Sequence, residues 1–226
     1  MSLACGIDVG GTKIAGGVVD EDGRVLEEQR VVSPATDAEA IEEAIAGLVA
    51  DLRSRHDIAT VGVGAAGYVD KARAVVLFAP NVAWRNEDLK GELEKRVELP
   101  VVIENDANAA AWGEFRYGAA HDAEDLLLVT VGTGVGGGLV LDGEVYRGAN
   151  GVGAEIGHMR VVPNGILCGC GKHGCFEQYA SGSALVREAR SLALSGAQIA
   201  QGMLQRAGGD LNRITGPLIT EAAQHG

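Results

Sequence analysis

Positive charge is the first thing this chain is short of. Lys and Arg number 19 against 31 Asp and Glu, the formal net charge is -12, and no Lys/Arg run or basic stripe occurs in the 226 residues. Proteins that bind nucleic acid draw much of their affinity from phosphate neutralisation, so no nucleic-acid partner is expected. An acidic surface mostly serves solubility. Long apolar runs are missing too: none approaches the ~20 residues that span a bilayer. The N-terminus enters an apolar strand almost at once, without a basic region or a cleavage site, so no membrane partner and a cytoplasmic location are expected. Aromatics make up only 4%, and there are only four cysteines.

Glycine, by contrast, is abundant, with 34 residues that are clustered and not periodic: GIDVGGTKIAGG, GVGAAG and VGTGVGGG. Each cluster follows or interrupts an apolar run, which points to tight strand-to-loop turns and close ligand approach, and away from low complexity. A hydrophobic content of 46% is enough for a substantial core, in one large domain or two small ones.

Three of the four cysteines fall in the stretch from Gly151 to Glu177, GVGAEIGHMRVVPNGILCGCGKHGCFE. His158, Cys168, Cys170 and Cys175 make a one-His, three-Cys set of the kind that holds tetrahedral zinc. Gly169, Gly171 and Gly174 between the sulfurs let the chain fold back sharply, as a knuckle and not a helix. The alternatives are small core residues or half of a disulfide framework. Three neighbouring cysteines cannot pair off, and a reducing compartment disfavours disulfides. Four protein ligands leave no open position for water, so a Zn2+ here is expected to be structural. What the loop carries is then Glu155 and His158 before the knuckle and Glu177 after it.

The pattern of apolar runs predicts strands over Leu3 to Val9, Ile14 to Val19 and Arg24 to Val32, then a helix over Asp37 to Arg55. Strands follow over Thr60 to Ala66, Ala74 to Phe78 and Val101 to Ile103, with a helix over Asn86 to Val97 between the last two. A strand and not a helix follows Lys13, so Gly10-Gly11-Thr12-Lys13 is neither a Walker loop nor a dinucleotide fingerprint. It is either a plain hairpin turn or a set of bare N–H groups for a phosphate. Asp106 stands where a strand gives way to the helix former AAAWGEFRYG; it is either that helix's N-cap or a base aimed into the crevice at the strand ends. Strands over Leu126 to Val131, Val135 to Leu141 and Glu144 to Arg147 then repeat the opening strand, glycine loop, strand, Asp-Gly turn, strand order. This internal repeat predicts a duplicated two-lobed fold with a phosphate loop from each lobe facing a shared cleft. Helices over Glu177 to Leu194, Ile199 to Arg206 and Pro217 to Ala223 complete the reading, and the second lobe looks unfinished.

DVGGTK at Asp8 to Lys13, ENDANAAAWGE at Glu104 to Glu114, VGTGVGGG at Val131 to Gly138, and EIGH followed by CGCGKHGCFE together resemble the ROK family of sugar kinases and regulators over nearly the whole chain. Within it, the zinc-containing bacterial glucokinases are the nearest pattern. The resemblance implies an actin-like, ribonuclease-H-like α/β fold: one lobe over residues 1–117 with the first phosphate loop and the catalytic Asp, and a truncated second lobe over 118–226 with the second phosphate loop and the zinc knuckle. It implies ATP-dependent phosphorylation of glucose, or a related hexose or N-acetylhexosamine, at the 6-hydroxyl. Asp106 would be the general base. Gly67, Asn81, Asn105, Asp106, Glu155, His158 and Glu177 would hold the sugar. Asp8, Gly10, Gly11, Thr12, Lys13, Gly132, Thr133 and Gly134 would face the nucleotide phosphates and their Mg2+. A homo-oligomer, dimer or tetramer, is the family precedent. Family members continue past this point with an adenosine-binding segment, which leaves a non-catalytic, zinc-stabilised sugar-binding remnant as the alternative; a regulator would need a DNA-binding helix-turn-helix ahead of Asp8.

Overall fold

Alternation of apolar and small or polar residues puts Cys5, Ile7 and Val9 of β1 (Leu3–Val9) into the core and leaves Gly6 and Asp8 on the open face. In this computed structural model, which describes residues 2–225, β2 (Lys13–Val19) folds back antiparallel on β1, and β3 (Val25–Val32) pairs antiparallel with β2. β4 (Ile58–Ala65) and β8 (Val101–Asn105) join on the other side in parallel, giving the order β3-β2-β1-β4-β8. Register decides what this sheet can do. Val9 pairs with Ala65 and Ala65 with Asn105, so three parallel strands end on one level. The first glycine loop, Gly67 and Asp106 therefore leave from the same edge.

Helix α1 (Ala38–Arg53) starts where Asp37 accepts from the Ala40 N–H at 3.2 Å, and it buries Ile41, Ile45, Leu48, Val49 and Leu52. Gly16 of β2 lets it lie close, since a Cβ there would stand 2.6 Å from Leu48. Between β4 and β8 a small antiparallel sheet, β5 (Tyr68–Val69), β6 (Val76–Phe78) and β7 (Arg85–Glu87), precedes α2 (Leu89–Val97). The expected helix start at Asn86 is thus corrected: Arg85 pairs with Phe78 and Glu87 with Val76, and Asn86 between them takes a left-handed φ of 52, so the chain is not helical there. The Asp88 carboxylate opens the helix by accepting from Gly91 at 3.2 Å. Trp84, fully buried, is the largest side chain of the core.

β9 (Leu126–Val131), β10 (Val135–Leu141) and β11 (Glu144–Val145) form a sheet of order β11-β10-β9 that repeats β3-β2-β1. Asp142 and Gly143 both take positive φ, the backbone of a two-residue hairpin turn. The helix expected over Glu177 to Leu194 is two pieces, α4 (Glu177–Ala180) and α5 (Gly182–Leu194). Ser181 is extended between them and its hydroxyl accepts from Ala184 at 3.1 Å, a capping interaction that competes with helix continuity. α6 (Gln201–Arg206) and α7 (Gly216–His225) follow, around a small core of Ala189, Ala193, Ala200, Met203, Ala207 and Ile214. The chain divides into two compact units, Met1–Leu128 with Gly137–Ala154, and Val129–Gly136 with Glu155–Gly226. Among the described residues no helix is long and apolar enough to cross a membrane.

Candidate active site and metal centre

In the first unit, a tight turn holds Gly10 to Lys13, with the Gly10 N–H donating to the Lys13 carbonyl at 3.0 Å. Gly11 has to be glycine for packing: a Cβ would lie 2.9 Å from the Asn81 carbonyl oxygen, so this loop and the one carrying Asn81 are in contact. Gly67 is equally constrained, with Phe78 and Ala79 within 2.9 Å of any added Cβ. Its carbonyl accepts from the Asn105 side-chain amide at 3.1 Å.

Helix α3 (Asp106–Tyr117) begins directly at the end of β8. Its N-cap is Asn105, whose Oδ1 accepts from the Asn108 N–H at 3.0 Å, and not Asp106. Asp106 is left without the capping duty. Its Oδ1 accepts from the Ala107 N–H at 2.9 Å and from the Asn105 amide at 3.0 Å. The side chain keeps solvent access, but protein packed around the carboxylate strips part of its hydration and raises its pKa above the ordinary aspartate value; the negative charge of Asp8 acts in the same direction, against those hydrogen bonds. Sequence reasoning missed Glu104 beside it. This carboxylate, 12% exposed, takes Arg147 Nε and Nη2 at 2.9 and 2.6 Å.

In the second unit, the ligand atoms of His158, Cys168, Cys170 and Cys175 all lie within 4.8 Å of one another. The Cys170 and Cys175 sulfurs are 3.6 Å apart and Cys168 Sγ is 3.6 Å from His158 Nδ1. A tetrahedral zinc with ordinary bond lengths asks for about 3.8 Å between two sulfurs and about 3.6 Å between sulfur and nitrogen, so the donor set fits. All four cysteines are free thiols. Burial pushes Cys175 up to about 12, with the neighbouring thiols adding to it, so a cation is needed before these thiolates can coexist. Gly171 and Gly174 do have positive φ, and a Cβ on Gly174 would strike the Val162 carbonyl oxygen; Gly169 faces open space and needs no such freedom.

The second glycine loop lies against this metal site. Glu177 Oε2 accepts from the Val135 N–H at 3.2 Å, while its Oε1 is 3.9 Å from Cys168 Sγ. The Gly182 N–H donates to the Gly132 carbonyl at 2.8 Å, so the start of α5 fixes the loop. Glu155 opens the short 3-10 turn Ile156–His158, and a Cβ on Gly157 would collide with the Val135 carbonyl. A cavity of about 560 Å³ beside Gly132 and Thr133 is lined also by Ser183, Val186, Arg187 and Arg190. Nothing in the sequence marked those four, because they lie on a helix whose break at Ser181 was not expected.

A parallel-edged α/β unit with a glycine loop and an acid at its strand ends, and a second unit pairing a glycine loop with a thiolate knuckle, define the class: a duplicated glycine-loop α/β protein. The chain belongs to the ROK family, whose model matches residues 4–224. It is 51% identical over all 226 residues to a glucokinase of Streptomyces coelicolor, of which it spans 71%. The crystal structure of a ROK family glucokinase from Streptomyces griseus in complex with glucose and AMPPNP is 54% identical, with a TM-score of 0.88, covering all of this chain and 72% of that one. An N-acetylmannosamine kinase of Escherichia fergusonii is 36% identical over 204 residues, 89% of this chain and 68% of that protein.

Proposed function

We propose that this protein is an ATP-dependent glucose kinase that transfers the terminal phosphoryl group of ATP to the 6-hydroxyl of glucose. The observation that carries the reading is the match, over the whole chain at 54% identity, to an enzyme bound to glucose and AMPPNP. Phosphoryl transfer asks for positioning and charge neutralisation more than for covalent chemistry. The backbone N–H groups of Gly11 and Thr12 and of Thr133 and Gly134, with Lys13, are suited to the phosphates, while the Gly10 and Gly132 N–H groups hold their own loops by donating to the Lys13 and Gly134 carbonyls; Asp8 is suited to the Mg2+. Asp106, released from capping by Asn105, would accept the hydroxyl proton, a role worth typically ~10²–10⁴-fold. Gly67, Asn81, Asn105, Glu155, His158 and Glu177 would bind the sugar. The cavity beside Thr133 would take the nucleotide side of the reaction.

The one-His, three-Cys set would hold Zn2+ as a structural ion, supplying charge to keep three thiolates together; His158 Nδ1 faces it. A coupled assay for glucose 6-phosphate, with ATP and Mg2+, tests the whole reading. Turnover with glucose and loss of at least about 100-fold in Asp106→Asn are expected. Equal turnover in that variant would remove Asp106 from the chemistry, and preference for N-acetylmannosamine over glucose would transfer the reading to that sugar.

A further inference from the structure

Glu104 is a carboxylate with four donors. Arg147 grips Oε2 through two nitrogens, and Arg73 Nε approaches the same oxygen at 3.4 Å. Arg73 has the left-handed backbone angle φ 60 and its buried Nε has no hydrogen-bond partner, so it is a strained residue oriented on Glu104. The other oxygen, Oε1, accepts from the Asn105 backbone N–H at 3.1 Å and from the Asn108 side-chain amide at 3.2 Å. Asn105 and Asn108 are the two ends of the capping turn that opens α3, and Asp106 stands between them.

We propose that Glu104, held by Arg147, is a positioning residue for Asp106: its carboxylate fixes the strand-to-helix corner from which the base projects. The proposal rests on the reading of Asp106 as the base. A nearly buried ion pair contributes little to stability compared with apolar packing of the same volume. What this one does well is geometry, because one oxygen ties both flanks of the reacting residue while two guanidiniums hold the other. Displacement of a reacting group by about 1 Å can cost on the order of 100-fold in rate.

The test compares kcat, KM for glucose and ATP, and backbone hydrogen exchange at residues 105–108 in Glu104→Gln, Asp106→Asn and the double variant of the whole enzyme. Glu104→Gln is expected to lower kcat roughly 10- to 100-fold, with both KM values within about threefold, and to speed exchange at Asn105 and Asn108. In the double variant it should add nothing to the loss from Asp106→Asn, because a residue acting only through another has no separate effect. Additive loss, or wild-type kcat in Glu104→Gln beside an inactive Asp106→Asn, overturns the proposal alone. Full activity in Asp106→Asn overturns the base assignment and this proposal with it. Arg147→Gln, which leaves the carboxylate in place, should give the same pattern at smaller size; if Glu104→Gln does not fold, wild-type kcat in Arg147→Gln overturns the proposal.

Discussion

Asp106 and Gly174 are the two residues at which a small change should be most telling. The proposed general base Asp106 would work only when ionised, and its pKa lies above the ordinary value of ~3.9 through desolvation, with Asp8 adding to it. The acid limb of kcat/KM should therefore fall at a pH above ~3.9, and Asp8→Asn should move that limb to lower pH, whatever it does to the plateau. A pH-rate profile of both proteins checks this; a limb unmoved by Asp8→Asn would exclude the electrostatic link. Gly174→Ala places a methyl against the Val162 carbonyl at positive φ, so it should open the knuckle. Metal content per chain, read by mass spectrometry, should drop well below that of the parent protein. The knuckle's donors were legible because His, Cys and Gly are chemically unmistakable. Asp106 was legible only as a pair of alternatives, since a cap and a base look alike until the cap is seen to be Asn105.

At the scale of elements, α1 and α2 meet through Glu42 and Arg96, whose Nη2 to Oε2 distance is 3.0 Å. Burial pushes the Glu42 pKa up to about 7, against the pull of Arg96. The native state thus holds a proton that the unfolded chain, with a glutamate near ~4.3, releases. That contribution is complete below about pH 4 and is lost as pH rises through about 7, with a slope no steeper than about 1.4 kcal/mol per pH unit. Glu42→Gln should flatten the fall in stability between about pH 5 and about pH 8, as read by urea denaturation; an unchanged slope would place the pH dependence elsewhere. The β1-loop-β2 opening and its second copy were readable from apolar runs interrupted by glycine loops. The start of α2 and the break at Ser181 were not: Arg85 is held extended by pairing with Phe78, and Ser181 is turned by its own hydroxyl.

For the whole molecule, the four candidate zinc ligands among the described residues lie in the second unit, and both tryptophans, Trp84 and Trp112, lie in the first. Removing the metal with a chelator should then lower the melting of the second unit, seen by circular dichroism, and leave the tryptophan fluorescence transition of the first nearly in place. Glucose binding should fail as the segment carrying Glu155, His158 and Glu177 loosens. Since Glu177 also touches the second glycine loop through Val135, nucleotide binding should weaken as well, but less. Loss of both ligands in step with the fluorescence transition would make the ion a general stabiliser instead.

The sequence by itself determined the chemistry on offer: clustered glycines after apolar runs, an acid at a strand-helix junction, a thiolate set, and a duplicated hairpin that identified the fold class. Each of these follows from the residue types and their spacing along a few turns or strands. Only the tertiary structure decided that Asn105 and not Asp106 caps α3, which glycines are compelled by contact, and that Glu104 is held by Arg73 and Arg147, because these reach it from parts of the chain far away in sequence. Hydrophobic periodicity specifies the faces of an element, whereas ion pairs and close approaches are set by register between elements, and register exists only once the sheet has formed.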